Sequence, residues 1–133
     1  MPGRLRSRGA HGRWQVTRHQ SWATRALERV RAAASQDGAG EYRTHCLGTP
    51  ALLHQAGLVQ ALAFLRSRKG VPAAYCDDLA VVYGLRDGAE LLARAQQAEL
   101  ALYMAITRDV IDASTWLRRF AQSELPAAER RSP

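Results

Sequence analysis

The chain has 133 residues, of which 47% are hydrophobic and 23% charged; that is enough to bury one core and too apolar for a wholly disordered polymer. No run of eighteen apolar residues occurs, which excludes a helical membrane span, and no apolar stretch follows the cationic start, which argues against a secretory signal. The net charge is +7, and five positive charges sit on Arg4, Arg6, Arg8, Arg13 and Arg18, which together with Arg25 precede the first acid, Glu28. A mildly basic body with a strongly basic arm suggests contact with a polyanion, nucleic acid first. The expected compartment is the cytoplasm, with no membrane partner. Cys46 and Cys76 stand apart without CxxC spacing and are expected as reduced thiols used as small hydrophobes.

Residues 1–16 are rich in Gly, Arg and Ser and lack periodicity, so a disordered arm is expected there. It could serve as a phosphate contact or be a solvated tail, and the sequence leaves both open. The helical domain is expected over 17–125, with a polar tail over 126–133. A first helix is predicted from about 16 to 34, with Trp22, Ala26, Val30 and Ala33 on its apolar stripe and Arg18, Arg25 and Arg29 on the other side. Residues 35–40 read as a loop. A short helix follows over 41–47, with Tyr42 and Cys46 inward, and Gly48 is expected to stop it.

Thr49 and Pro50 then look like the cap and first turn of a central helix over about 50–68. Its apolar residues fall on two stripes, Leu52, Ala56, Val59 and Ala63 beside Leu58, Leu62 and Leu65, so other helices should enclose it. Arg66, Arg68 and Lys69 suit its C-terminal end, and Gly70 closes it. A helix over 73–83 carries Leu79, Val82 and Tyr83 on its apolar side and Asp77-Asp78 on an exposed one. Asp87 can cap a helix over 88–104 with Leu91, Leu92, Ala95, Ala98 and Leu102 inward. Thr107 can cap the last helix, over 108–124. Its core face is Val110, Ala113, Leu117, Phe120 and Ala121, flanked by Trp116, and its polar side holds Arg108, Asp112, Thr115, Arg119 and Gln122. Pro126 stops it. No segment alternates long enough to be a strand, so the expected fold is an all-α, single compact bundle of six or seven helices.

Groups that could converge on a reaction are few. There is no Walker A loop, GxGxxG, GxSxG, HExxH or spaced Cys/His set. Asp77 with Asp78, and Asp109 with Asp112, lie in early helical turns where carboxylates complement the dipole. His45 and Cys46 are neighbours on a helix and so point about 100° apart, too far for a Cys–His couple. His54 reads as a boundary histidine. No catalytic residue, metal site, cofactor or small-molecule substrate is expected. Cations cluster instead at Arg66, Arg68 and Lys69, at Arg118 and Arg119, and along Arg18, Arg25 and Arg29, and these are the candidate contacts to a nucleic-acid backbone. A solvated helix face remains the alternative for each cluster. Trp14, among the arm's arginines, could stack on a base. No recognition-helix or zinc-finger pattern argues for base readout.

Two stretches resemble one family. Pro50-x-Leu52-Leu53-x-x-x-Gly57-Leu58-x-Gln60-x-Leu62-Ala63-Phe64 is similar to the signature of the small all-helical subunit of the Cmr complex, the type III-B CRISPR effector that targets RNA. Trp116-Leu117-Arg118-Arg119-Phe120-Ala121, after Tyr103-x-x-Ile106-Thr107-Arg108-x-x-Ile111, is similar to that family's closing motif, in which a Thr starts the last helix. Arg118 stands where the family commonly has Lys. Tyr42-Arg43 ahead of the Pro50 stretch fits too. The resemblance covers about residues 18–124 and leaves out the arm.

It implies a helical subunit without catalysis of its own, acting in antiviral defence. Neighbouring copies would stack beside a filament of backbone subunits and, with the large subunit, line the channel where target RNA pairs with guide RNA. The competing reading from the residues alone is a free-standing basic DNA-binding protein.

Overall fold

The computed structural model describes residues 18–127. The predicted arm, Trp14 and most of the predicted tail lie outside the described residues. Among the described residues six helices occur, in the order α1 (Arg18–Ala34), α2 (Ala39–Ala56), α3 (Leu58–Ser67), α4 (Val71–Tyr83), α5 (Gly88–Gln97) and α6 (Leu100–Glu124). Among the described residues there is no strand, and the all-α expectation holds.

The breaks at Gly70 and Gly84 fall where expected, but two others do not. The predicted short helix over 41–47 and the start of the central helix are one continuous α2, which runs through Gly48 and Pro50. Tyr42, Cys46, Thr49 and Leu53 are buried and recur at helical spacing across the Gly-Pro step, so a single core stripe holds the helix through it. Proline removes one ladder donor, and side chains put donors next to the interruption. Thr49 donates its hydroxyl to the His45 carbonyl at 2.7 Å, and Arg118 Nη1 donates to the Leu47 carbonyl at 3.2 Å. Thr49 is therefore a buried mid-helix residue, not a cap. The predicted central helix instead splits at Gly57, whose φ of 88° and ψ of 161° suit glycine alone. The expected enclosure fails in part, because Ala63 and Phe64 are exposed on α3.

The second misplaced break lies between the last two helices. The predicted helix over 88–104 ends at Gln97, Ala98 and Glu99 are extended, and α6 runs for 25 residues from Leu100. Thr107 sits inside α6 and donates to the Tyr103 carbonyl at 2.8 Å. Ile106, Val110, Ala113, Leu117 and Ala121 make one buried stripe across the predicted boundary. Leu102, expected inward, is 48% exposed. Asp87 does cap α5, accepting from the Glu90 N–H at 2.9 Å.

α6 is flanked by α1 and α2. α1 runs parallel to it, since Arg18 meets Asp109 at one end and Arg31 meets Glu124 at the other, both at 3.2 Å. α2 runs antiparallel, as the Arg118–Leu47 bond and the Val59 N–H to Tyr103 hydroxyl bond at the start of α3 require. α4 is the centre of the bundle and packs against every other helix. Its Pro72, Tyr75, Cys76, Leu79, Ala80 and Val82 are all buried. A helix apolar around most of its circumference must be covered on several sides. The approach of α5 is close: a Cβ at Gly88 would come within 2.8 Å of the Cys76 sulfur.

Asp77 and Asp78, expected on an exposed face, are both half-buried and engaged. Asp77 accepts from the Gly88 N–H at 2.8 Å, which ties α4 to the start of α5. Asp78 accepts from the Tyr42 hydroxyl at 2.7 Å.

Candidate nucleic-acid interface

The eight candidate cations divide according to what they touch. Arg25 and Arg29 point into the fold. Both Nε and Nη2 of Arg25 donate to the Val82 carbonyl, at 3.1 and 3.0 Å, and so satisfy an orphan acceptor in the last turn of α4. Arg29 Nη1 lies 3.5 Å from Asp78 Oδ1. Polarity alone suggests that these arginines lie opposite Trp22. They stand three and seven residues beyond it, within about 60° on an ideal helix, so they border the buried stripe. Desolvation raises the Asp78 carboxyl above its ordinary range, against the opposing pull of the Tyr42 hydrogen bond and the Arg29 charge.

The other six are exposed. Arg18 pairs with Asp109 and lies 5.8 Å from the Trp22 ring centre, yet its side chain is 74% exposed. Arg66, Arg68 and Lys69 form one group at the end of α3, with the Arg68 guanidinium 5.3 Å over the Phe64 ring. Arg118 leans toward α2. Arg119, about 100° further round α6, lies 5.3 Å over the Trp116 ring, which itself stacks on Phe120 at 5.8 Å. An exposed arginine over an aromatic ring is held in place while its donors still face water, a geometry suited to phosphate. Exposed ion pairs are weak, so the Asp109 pairing leaves Arg18 open to exchange its partner.

The other candidate chemistry is engaged elsewhere or inert. Cys46 and Cys76 are buried, and burial pushes both thiols up to about 12, so neither is a ready nucleophile. His45 Nε2 lies 3.7 Å from Glu41 and its ring packs on Tyr75. His54 is exposed beside a shallow groove lined by Tyr103, Met104 and Ile111. Among the described residues no group of three His, Cys, Asp or Glu is placed to hold a metal, and no helix is long and apolar enough to cross a membrane.

The helical bundle matches a known type of protein. Residues 18–124, which begin with the first turn of α1 and end with the last of α6, match the family model described as CRISPR-associated protein (Cas_Cmr5). The chain belongs to the Cas_Cmr5 family. A curated Cas_Cmr5 relative from Thermus thermophilus, named CRISPR system Cmr subunit Cmr5, is 51% identical over 108 residues, or 80% of this chain and 95% of the relative. The crystal structure of a CRISPR-associated Cmr5 family protein from the same organism superposes with a TM-score of 0.80 at 50% identity, covering 83% of this chain and 99% of that one. All six helices of the described residues therefore fall within the Cas_Cmr5 match.

Sequence reasoning overlooked one arrangement. His19, from the first turn of α1, comes beside Asp112, Thr115, Trp116 and Arg119 of α6, and together they line a small notch. The α6 members were visible as a polar side with a flanking Trp. The arrival of His19 depends on the parallel packing of α1, which no local pattern encodes.

Proposed function

We propose that this chain is a non-catalytic small subunit of a type III-B Cmr effector. It stacks along the backbone filament and touches the guide–target RNA channel. Its partners are the backbone and large Cmr subunits, neighbouring copies of itself, and the guide and target RNAs. Identity of 51% with a named Cmr subunit across 95% of that subunit is the observation that carries this reading. The exposed cations Arg18, Arg66, Arg68, Lys69, Arg118 and Arg119 supply its phosphate contacts. Arg25 and Arg29, candidates by sequence, are assigned to holding α1 on α4. Target cleavage and cyclic-nucleotide synthesis are left to other subunits, in keeping with a site built from cations and rings.

The test is recovery of the tagged full chain from its host at moderate salt, with proteins read by mass spectrometry and bound nucleic acid by sequencing. Backbone and large subunits together with short guide RNAs are expected. Charge reversal at Arg118 and Arg119 should then leave the protein partners and weaken target-RNA engagement by the assembly. Recovery with duplex DNA and no Cmr subunits would favour the free-standing DNA-binding reading instead.

A further inference from the structure

The α1–α6 seam holds a cavity of about 120 Å³ lined by His19, Asp112, Thr115, Trp116 and Arg119. That is room for about four waters, or for one flat ring system. Its parts are unlike those of a plain cationic patch. Trp116 is half-buried and fixed by stacking on Phe120, and the Arg119 guanidinium lies over the indole. A guanidinium parked on an aromatic face turns its second planar face outward, where another ring can stack. Across the notch, His19 Nε2 lies 4.0 Å from Asp112 Oδ2, and both side chains are about half-exposed, at 59% and 44%. Thr115 donates its hydroxyl to the Ile111 carbonyl at 3.0 Å, which leaves its oxygen free to accept. The notch thus offers a stacking surface, two side-chain acceptors and two nitrogenous side chains at its rim.

We infer that this notch seats one unstacked nucleobase of single-stranded RNA. The inference rests on the RNA-contact reading above and adds a base site to its phosphate contacts. The base stacks on Arg119 and the Trp116 edge, while His19 and Arg119 take the flanking phosphates. Asp112 and Thr115 accept from an exocyclic amino group, which cytosine, adenine and guanine carry and uracil lacks. A carboxylate would be poorly placed in a site meant for phosphate alone, and here it has a defined role.

The experiment titrates the full chain against three end-labelled hexanucleotides: oligo(rC), oligo(rU) and an abasic ribose-phosphate hexamer with the same phosphates. Affinity should fall in the order oligo(rC), oligo(rU), abasic, with the abasic strand about five-fold or more weaker than oligo(rC). Arg119→Lys keeps the charge and loses the planar stacking face, so it should erase the preference for bases over the abasic strand. Thr115→Phe fills the notch from another side chain and should do the same. Equal affinity of the natural chain for oligo(rC) and the abasic strand would overturn the base seat and leave the phosphate contacts standing. Persistence of the base preference in both variants would overturn the seat as well. Failure of all three strands to bind would overturn the seat and the RNA reading together.

Discussion

Asp78 accepts from Tyr42 and faces Arg29, yet burial holds its carboxyl above the ordinary range. The folded chain therefore keeps that proton more readily than the unfolded one. Stability from this group is present below the unfolded carboxylate value and is lost as pH rises through the raised folded value. Asp78→Asn keeps an acceptor for Tyr42 and removes the titration. Urea midpoints measured across the acid range should show the natural chain losing ground to Asp78→Asn as pH rises through that window. Parallel profiles would mean that Arg29 fully offsets the burial. The Asp77-Asp78 pair was legible in the sequence only as two early-helix acids. Its engagement depends on Tyr42 and Gly88, residues 36 and 11 positions away. Arg25 shows the same from the opposite charge: expected on the polar side of its helix, it is drawn inward by its acceptor, the Val82 carbonyl, 57 residues distant.

At the scale of elements, apolar spacing outranked the punctuation residues. Gly48 and Pro50 together looked like a stop and a restart, yet the stripe from Tyr42 to Leu53 continues through them. Thr107 looked like a cap, yet the stripe from Ile106 to Ala121 runs past it. At about 1.5–3 kcal/mol for each large side chain, burial of Tyr42, Cys46 and Leu53 together outweighs a helix-interior glycine at roughly 0.5–1 kcal/mol and a proline at about 3 kcal/mol. Two alanine substitutions test where the real break lies. Gly48→Ala adds a Cβ at an exposed mid-helix site with nothing within 4 Å, and it should stabilise by about 0.5–1 kcal/mol. Gly57→Ala also meets nothing within 4 Å, but it forces a side chain into φ 88°, ψ 161°, at a cost of about 1–3 kcal/mol. Chemical denaturation reads both; matching signs would contradict the hinge at Gly57.

For the whole molecule, the charge that matters is what remains exposed after the fold has used its share. Arg25 and Arg29 serve the α1–α4 contact, while Arg66, Arg68 and Lys69 stay exposed at the end of α3. Log affinity for single-stranded RNA should fall with log salt by ~0.7 per phosphate neutralised. Replacing all three α3 cations by Ala should therefore flatten that slope by about 2, read by fluorescence anisotropy over a salt series. An unchanged slope would place the α3 end away from RNA. The sequence by itself determined the helical class, the family and the identity of most core residues, because 3.6-residue periodicity and a family signature are both written locally. Only the tertiary structure decided which glycine breaks a helix, that α4 lies at the centre, which arginines turn inward, and that His19 meets Trp116 and Arg119. Each of these depends on which distant surface competes for the same side chain, and a one-dimensional pattern holds no record of that competition.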